Sequence, residues 1–199
     1  MSLDEEACFR AARARDARFD GAFFVCVLTT GIYCRPVCPA RPPRRDNLRF
    51  VPSAAAAQLA GFRPCLRCRP ELSPDVAAWR GTESVVARAL ALIAEGALDA
   101  GGADADSDAG ASVDALAERV GLGERQLRRL FERHLGASPV QVAQTRRLLF
   151  AKQLLQDTRL GMAEIALAAG YGSARRFHAG FQAQARSARG RSGSGAWAR

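Results

Sequence analysis

Four cysteines constrain this chain more than any other feature. Cys34 and Cys38 enclose three residues, Cys65 and Cys68 enclose two, and 26 residues separate the pairs. Two short loops, each carrying two thiols, suit a tetrahedral zinc site, because each can place its sulfurs about 2.3 Å from a shared metal. Disulfides or chance spacing are the alternatives. The chain opens on an acidic stretch, MSLDEEACFR, without a secretory pattern, so its six cysteines are expected to stay reduced in a cytoplasmic setting and to favour metal over disulfides. The remaining two have simpler expectations. Cys26 lies in FFVCVLTT, a β-branched and aromatic run that reads as a buried strand, and Cys8 lies in a helical segment with no role assigned.

With 199 residues, 48% of them hydrophobic, the chain has room for one large domain or two small ones. Its longest uninterrupted apolar run, Ala22 to Leu28, is far too short for a transmembrane helix. Lys and Arg number 29 against 20 Asp and Glu, a formal charge of +9, and 28 of the 29 bases are arginine. GC-rich codon usage favours arginine too, but such a surplus suits a polyanionic partner. The charge is also unevenly placed. Residues 1–80 carry 13 bases and 8 acids, residues 81–110 carry 1 and 6, and residues 111–199 carry 15 and 6. Two basic blocks flank an acidic one, as expected if each basic block touches nucleic acid and the middle does not.

Between the blocks, Thr82 to Leu98 has a helical apolar rhythm at Val85, Val86, Ala89, Leu92 and Ile93, with Thr82 as a suitable N-cap. Asp99 to Ala111 (DAGGADADSDAGA) reads as a flexible acidic loop, and residues 186–199 as a disordered tail. The third block is punctuated for helices. Ser112 caps one that ends at Gly121; Gly123 precedes Glu124 to Phe131, which Gly136 stops; Ser138-Pro139 opens a longer helix toward Leu155. The pattern then recurs. Ile165-Ala166 repeats Leu116-Ala117 and Gly170-Tyr171-Gly172 repeats Gly121-Leu122-Gly123 at a displacement of 49, while Phe177 and Phe181 repeat Leu127 and Phe131 at 50. This is a helix-turn-helix written twice. Each second helix carries polar groups between its core positions: Arg125, Gln126, Arg128 and Arg129 in the first, Arg175, Arg176, His178 and Gln182 in the second. Such helices enter the major groove, where arginine favours guanine edges.

The wording around the cysteines is specific. TTGIYCRPVCPAR, then RRDNLRF, then AGFRPCLRCRPE follow in order, and from Asp16 to Glu71 they closely resemble the N-terminal domain of the Ada family of DNA alkylation-repair proteins. From Glu83 to Gln182 the chain resembles the AraC-type DNA-binding domain, and AEIALAAGYGSARRFHAGF is similar to the proteins in which both domains precede an alkyl-base glycosylase. Past Phe181 the chain departs from that pattern. The Gly and Pro closing turn, the glycosylase and a Pro-Cys-His-Arg motif for guanine demethylation are absent from the sequence, so a truncated or frame-shifted end is expected.

The resemblance implies a small α/β zinc domain over residues 1–80 and an all-α AraC-type domain over 81–185. It implies one zinc per chain, held by Cys34, Cys38, Cys65 and Cys68, and a single irreversible methyl transfer from a DNA phosphotriester to zinc-bound Cys34. Around the thiols, Thr30, Tyr33, Arg35, Arg41, Arg63 and Arg67 are expected to meet the DNA backbone. Double-stranded DNA, both damaged backbone and promoter, is the expected partner, with RNA polymerase beside it, no membrane, and a monomer associated with a bacterial nucleoid. The alternatives are a zinc-containing DNA-binding regulator without methyl transfer and a non-functional fragment of a longer repair enzyme.

Overall fold

The computed structural model describes residues 4–73, 84–99 and 112–182. The described residues divide into two compact units, the first holding residues 4–73 and the second residues 84–99 and 112–181. The first is a small α/β unit and the second is helical throughout its described residues.

In the first unit, helix α1 (Glu5–Ala14) starts where the Asp4 carboxylate accepts from the amides of Glu6 and Ala7, and stops at Arg15, whose φ of 51° is left-handed. Strand β1 (Phe24–Val27) follows, paired antiparallel with β2 (Ile32–Cys34) and with β3 (Leu48–Val51). The β1–β2 turn closes through Gly31, whose φ of 63° is costly for any residue with a Cβ. Helix α2 (Ala54–Leu59) leads to the two-residue strand β4 (Arg63–Pro64), which joins β2 in parallel, giving the order β3-β1-β2-β4.

Side chains alternate across the sheet, so β1 feeds two cores. Val25 and Val27 pack with Cys8, Ala11, Phe23, Leu48 and Phe50 on the α1 side. Phe24 and Cys26 pack with Tyr33, Val51, Ala57 and Phe62 on the α2 side. A central strand covered on both faces explains why FVCV is apolar at every position, and Cys26, fully buried, is the small core residue expected. Cys8 is buried as well, and that burial, aided by the charges of Asp4 and Glu5, pushes its thiol up to about 11.

The second unit contains α3 (Ser84–Ala94), α4 (Val113–Arg119), α5 (Glu124–Leu135), α6 (Pro139–Asp157), α7 (Met162–Ala168) and α8 (residues 174–182). One core gathers Val86, Ile93, Leu116, Leu127, Phe131 and Ala143; the other gathers Ala151, Ile165, Ala166 and Phe177. Helix α6 contributes to both and so joins the two helix-turn-helix units. Its start is a full capping box, with Ser138 N–H donating to Gln141 Oε1 at 2.8 Å and Gln141 N–H to Ser138 Oγ at 3.4 Å.

The repeat expected from the sequence is present in the hydrogen bonds. Leu122 N–H donates to the Ala117 carbonyl at 2.9 Å and Tyr171 N–H to the Ala166 carbonyl at 2.9 Å. The preceding glycines, Gly121 and Gly170, take φ of 76° and 82°. One helix is shorter than its apolar rhythm suggests: α3 ends at Ala94 instead of running to Leu98. Gly96 turns the chain at φ 97°, and the Ala97 amide folds back to the Leu92 carbonyl at 2.9 Å. Asp99, expected in a flexible loop, instead lies against α6, 3.6 Å from Arg146 and 3.9 Å from Arg147. The Thr82 cap, residues 100–111 of the acidic loop and the tail at 186–199 lie outside the described residues.

Candidate metal centre and nucleic-acid interface

Cys34 ends β2, and Cys65 follows β4 directly. The parallel pairing of those strands, closed by Arg63 N–H on the Gly31 carbonyl at 2.8 Å and Cys65 N–H on the Tyr33 carbonyl at 3.0 Å, sets the two cysteine loops side by side. The sulfurs of Cys34, Cys38, Cys65 and Cys68 all lie within 4.8 Å of one another. A tetrahedron with zinc–sulfur arms of 2.3 Å has edges of about 3.8 Å, so the cluster needs only a small contraction to hold the metal. Cys65 and Cys68 are buried, while Cys34 and Cys38 are half-buried.

The environment differs from sulfur to sulfur. Arg35 N–H donates to Cys68 Sγ at 3.3 Å and Arg67 N–H to Cys65 Sγ at 3.4 Å. Among the described residues, no backbone N–H donates to Cys34. Crowding makes the thiols share protons. Hydrogen bonds with Cys34 and then Cys68 pull Cys38 down to about 2, while the same contacts, with Cys38 and then Cys68, and burial push Cys34 far up. Cys68 is lowered by its bond with Cys34, but the bond with Cys38 and burial outweigh this and leave it raised to about 12. A divalent cation takes the place of those shared protons.

Two expected DNA contacts are corrected by the geometry. Tyr33 is fully buried on the α2 side of the sheet, edge-on to Phe24, with its hydroxyl accepting from Gln58 Nε2 at 3.1 Å. It has no surface to offer a phosphate, and its phenol is pushed well up by desolvation. Arg35 is turned inward. Its guanidinium donates to both Asp20 oxygens, the Nε bond being 2.8 Å, and to the Cys68 carbonyl at 3.2 Å, with 16% of the side chain exposed. Its place is structural: it holds Cys68 from two directions, through its side chain and its own amide.

Thr30, Arg41, Arg63 and Arg67 are exposed around the cluster. In the second unit, Arg125, Gln126, Arg128 and Arg129 share the exposed side of α5, opposite buried Leu127 and Phe131. Arg128 divides its charge with Glu124, whose Oε1 accepts from its Nε at 3.0 Å. Arg175, Arg176, His178 and Gln182 are exposed on α8, and the His178 ring nitrogen Nδ1 sits 3.3 Å from the Ala174 carbonyl. Sequence reasoning missed Asp20 and Arg15. Arg15 donates to the carbonyls of Pro39 and Ala40 at 3.1 and 3.4 Å, clamping the segment just past Cys38. Neither residue carries a local signal, since each acts on a loop distant in sequence.

Residues 7–71 match the family described as the metal binding domain of Ada, and residues 116–188 match a helix-turn-helix domain family. A Bacillus subtilis protein named "Bifunctional transcriptional activator/DNA repair enzyme AdaA" is 30% identical over 176 residues, covering 87% of this chain and 74% of its own. The chain belongs to the Ada family. A Mycobacterium tuberculosis relative, "Probable bifunctional transcriptional activator/DNA repair enzyme AlkA", is 47% identical over 178 residues, 89% of this chain. The Escherichia coli "Bifunctional transcriptional activator/DNA repair enzyme Ada" is 34% identical over 137 residues, 69% of this chain. The chain spans about a third of the length of these two relatives, 34% in each case. An Ada-type metal-binding domain and four converging thiols together make this the site of one zinc ion per chain, ligated through sulfur.

Proposed function

We propose that the chain takes a methyl group from a methylphosphotriester in double-stranded DNA onto Cys34 and couples this repair to promoter binding through α5 and α8. The observation that carries this reading is the convergence of four thiols within 4.8 Å, with Cys65 and Cys68 buried under backbone N–H groups, Cys34 and Cys38 half-buried, and Cys34 set in the Ada-like run TTGIYCRP. Bound zinc supplies the positive charge that keeps the sulfurs deprotonated at neutral pH. The Cys34 thiolate attacks the methyl carbon in line with the carbon–oxygen bond. A sulfur–carbon bond forms, the carbon–oxygen bond breaks, and its electron pair leaves on the phosphate oxygen as an ordinary phosphodiester. Such a displacement needs little beyond positioning, which the exposed Arg41, Arg63 and Arg67 and the Thr30 hydroxyl supply by holding neighbouring phosphates. A thioether has no base in this site to cleave it, so each molecule acts once.

The transfer also changes charge. Four thiolates and one zinc sum to −2, and methylation leaves −1. One unit charge at about 8 Å in water is worth roughly 0.5 kcal/mol per phosphate, so relief of repulsion over a few phosphates raises DNA affinity by about tenfold. Promoter binding of this kind places RNA polymerase next to the complex. The test is incubation with DNA bearing methylphosphotriesters, followed by peptide mass mapping. Added methyl mass is expected on the Cys34 peptide and is expected to vanish in Cys34→Ser. Absence of methylation, or unchanged uptake in the variant, would leave only a zinc-containing DNA-binding regulator.

A further inference from the structure

The two copies of the duplicated turn sit in different surroundings. Gly121 and Gly170 hold equivalent places, with φ of 76° and 82°. A Cβ added to Gly121 would meet nothing among the described residues within 4 Å, whereas one added to Gly170 would fall 2.5 Å from Asp99 Cγ and Oδ2. The carboxylate that follows α3 therefore lies directly against the second turn, while the first turn is open.

Arg147 of α6 fills the rest of this joint. With 14% of its side chain exposed, it donates through one nitrogen to the carbonyls of Leu98 and Gly170, each at 3.4 Å. Its Nε is buried, makes no hydrogen bond among the described residues, and faces Asp99 Oδ1 at 3.9 Å. Its guanidinium carbon lies 5.5 Å from the centre of the Tyr171 ring. Arg146 closes the joint from the α3 side, 3.6 Å from Asp99 Oδ2 and donating to the Ala94 carbonyl. Leu98 packs on the first helical core and Tyr171 on the second, where its ring meets Phe177 of α8 edge-on with 5.3 Å between centres. One guanidinium thus ties the first helix-turn-helix unit to the second.

We infer that Asp99 and Arg147 form a clasp that fixes the orientation of α8 relative to α5, and so sets the separation of the two DNA segments these helices read. This rests on the promoter-binding reading above and assigns spacing specificity to two positioning residues away from both recognition helices. Without the clasp, α6 is the shared element of the two cores, and small bodies joined through one helix can rock against each other. Recognition helices on a stiff frame must meet major grooves about one helical turn, roughly 10 base pairs, apart. A loose frame accepts other separations. Removing the Asp99 carboxylate leaves the buried Arg147 guanidinium without its counter-charge, which is why a single substitution is enough to open the joint.

The test uses the full zinc-loaded chain, weakly aligned in a dilute medium, with residual dipolar couplings measured for the amides of α4, α5, α7 and α8. One alignment tensor is expected to fit all of them in the unsubstituted chain. Asp99→Asn, which keeps the shape of the side chain, and Arg147→Met are each expected to need separate tensors for α4–α5 and α7–α8. Gly170→Ala is expected to do the same by displacing Asp99, whereas Gly121→Ala, with similar backbone strain but open space, keeps one tensor. In parallel, each chain selects sites from a random-sequence duplex library. The unsubstituted chain is expected to enrich two base clusters at one separation and to lose about a hundredfold in affinity when two base pairs are inserted between them. Asp99→Asn is expected to enrich the same clusters at several separations and to lose less than about tenfold on that insertion.

A single tensor in both Asp99→Asn and Arg147→Met, two tensors in the unsubstituted chain, or one fixed separation selected by Asp99→Asn overturns the inference. So does loss of helical carbon shifts from α7 or α8 in Asp99→Asn, because the carboxylate then holds the fold and not the orientation. If the couplings behave as expected but the unsubstituted chain enriches no base cluster, the promoter reading fails while the clasp stands.

Discussion

The two units both carry surplus arginine, yet they hold their shape and use that arginine differently. The first has four strands of two to four residues and small cores on the two faces of its sheet, and its β2–β4 edge ends in four sulfurs. So little buried surface is seldom sufficient alone, and metal ligation supplements it. Three arginines of this unit act as braces: Arg35, turned inward, on Asp20, Arg69 on Glu71, and Arg15, at the surface, on the Pro39 and Ala40 carbonyls. The second unit closes two apolar cores without a ligand, and an amphipathic helix such as α5 leaves Arg125 and Arg129 on its outer face by geometry alone. Where loops must be pinned, arginine becomes structure. On α5, whose inner face is already packed, Arg125 and Arg129 stay exposed, whereas on α6 Arg146 and Arg147 are drawn to Asp99.

Metal removal breaks this comparison most severely. Structural zinc contributes on the order of 10 kcal/mol or more to folding, so a strong chelator is expected to erase amide-exchange protection in β1 through β4 while α4 to α7 keep theirs. Equal loss in both units, or none in the first, would end the distinction. The converse is Phe131→Ala. That ring is fully buried in the larger helical core, and its loss costs about 3–5 kcal/mol. Differential scanning calorimetry is expected to show the second unit melting early, with zinc content unchanged. Asp20→Asn comes next. It removes the partner of an arginine only 16% exposed, at a cost of about 3 kcal/mol, and is expected to lower the denaturant midpoint of the first unit and weaken zinc retention against a competing chelator. The smallest effect is Ser138→Ala, which deletes the α6 cap. It is expected to cost about 1 kcal/mol, visible as a reduced melting temperature in the second unit alone.

Much of this was legible in local residue patterns. Paired thiols at short spacing announce a metal whatever surrounds them, and the glycines at 121 and 170 announce a turn because few other residues take a positive φ there. Tyr33 and Arg35 show the limit. Both lie in the Ada-like run TTGIYCRP and were expected at the DNA surface, but strand alternation turned Tyr33 under α2, and Asp20, fifteen residues earlier, captured Arg35. The pairing of β4 with β2 was equally hidden, since a two-residue parallel contact leaves no periodicity to detect.

By itself, then, the sequence determined the donor set, most helix starts and stops and the duplicated turn, because each depends on a residue's own chemistry or on neighbours within one turn. Only the tertiary structure decided which sulfurs receive amides from elsewhere, which arginines face outward and which side of the sheet takes Tyr33. Those outcomes depend on groups far apart in the chain meeting with the right geometry, and residue identity does not encode which partner arrives.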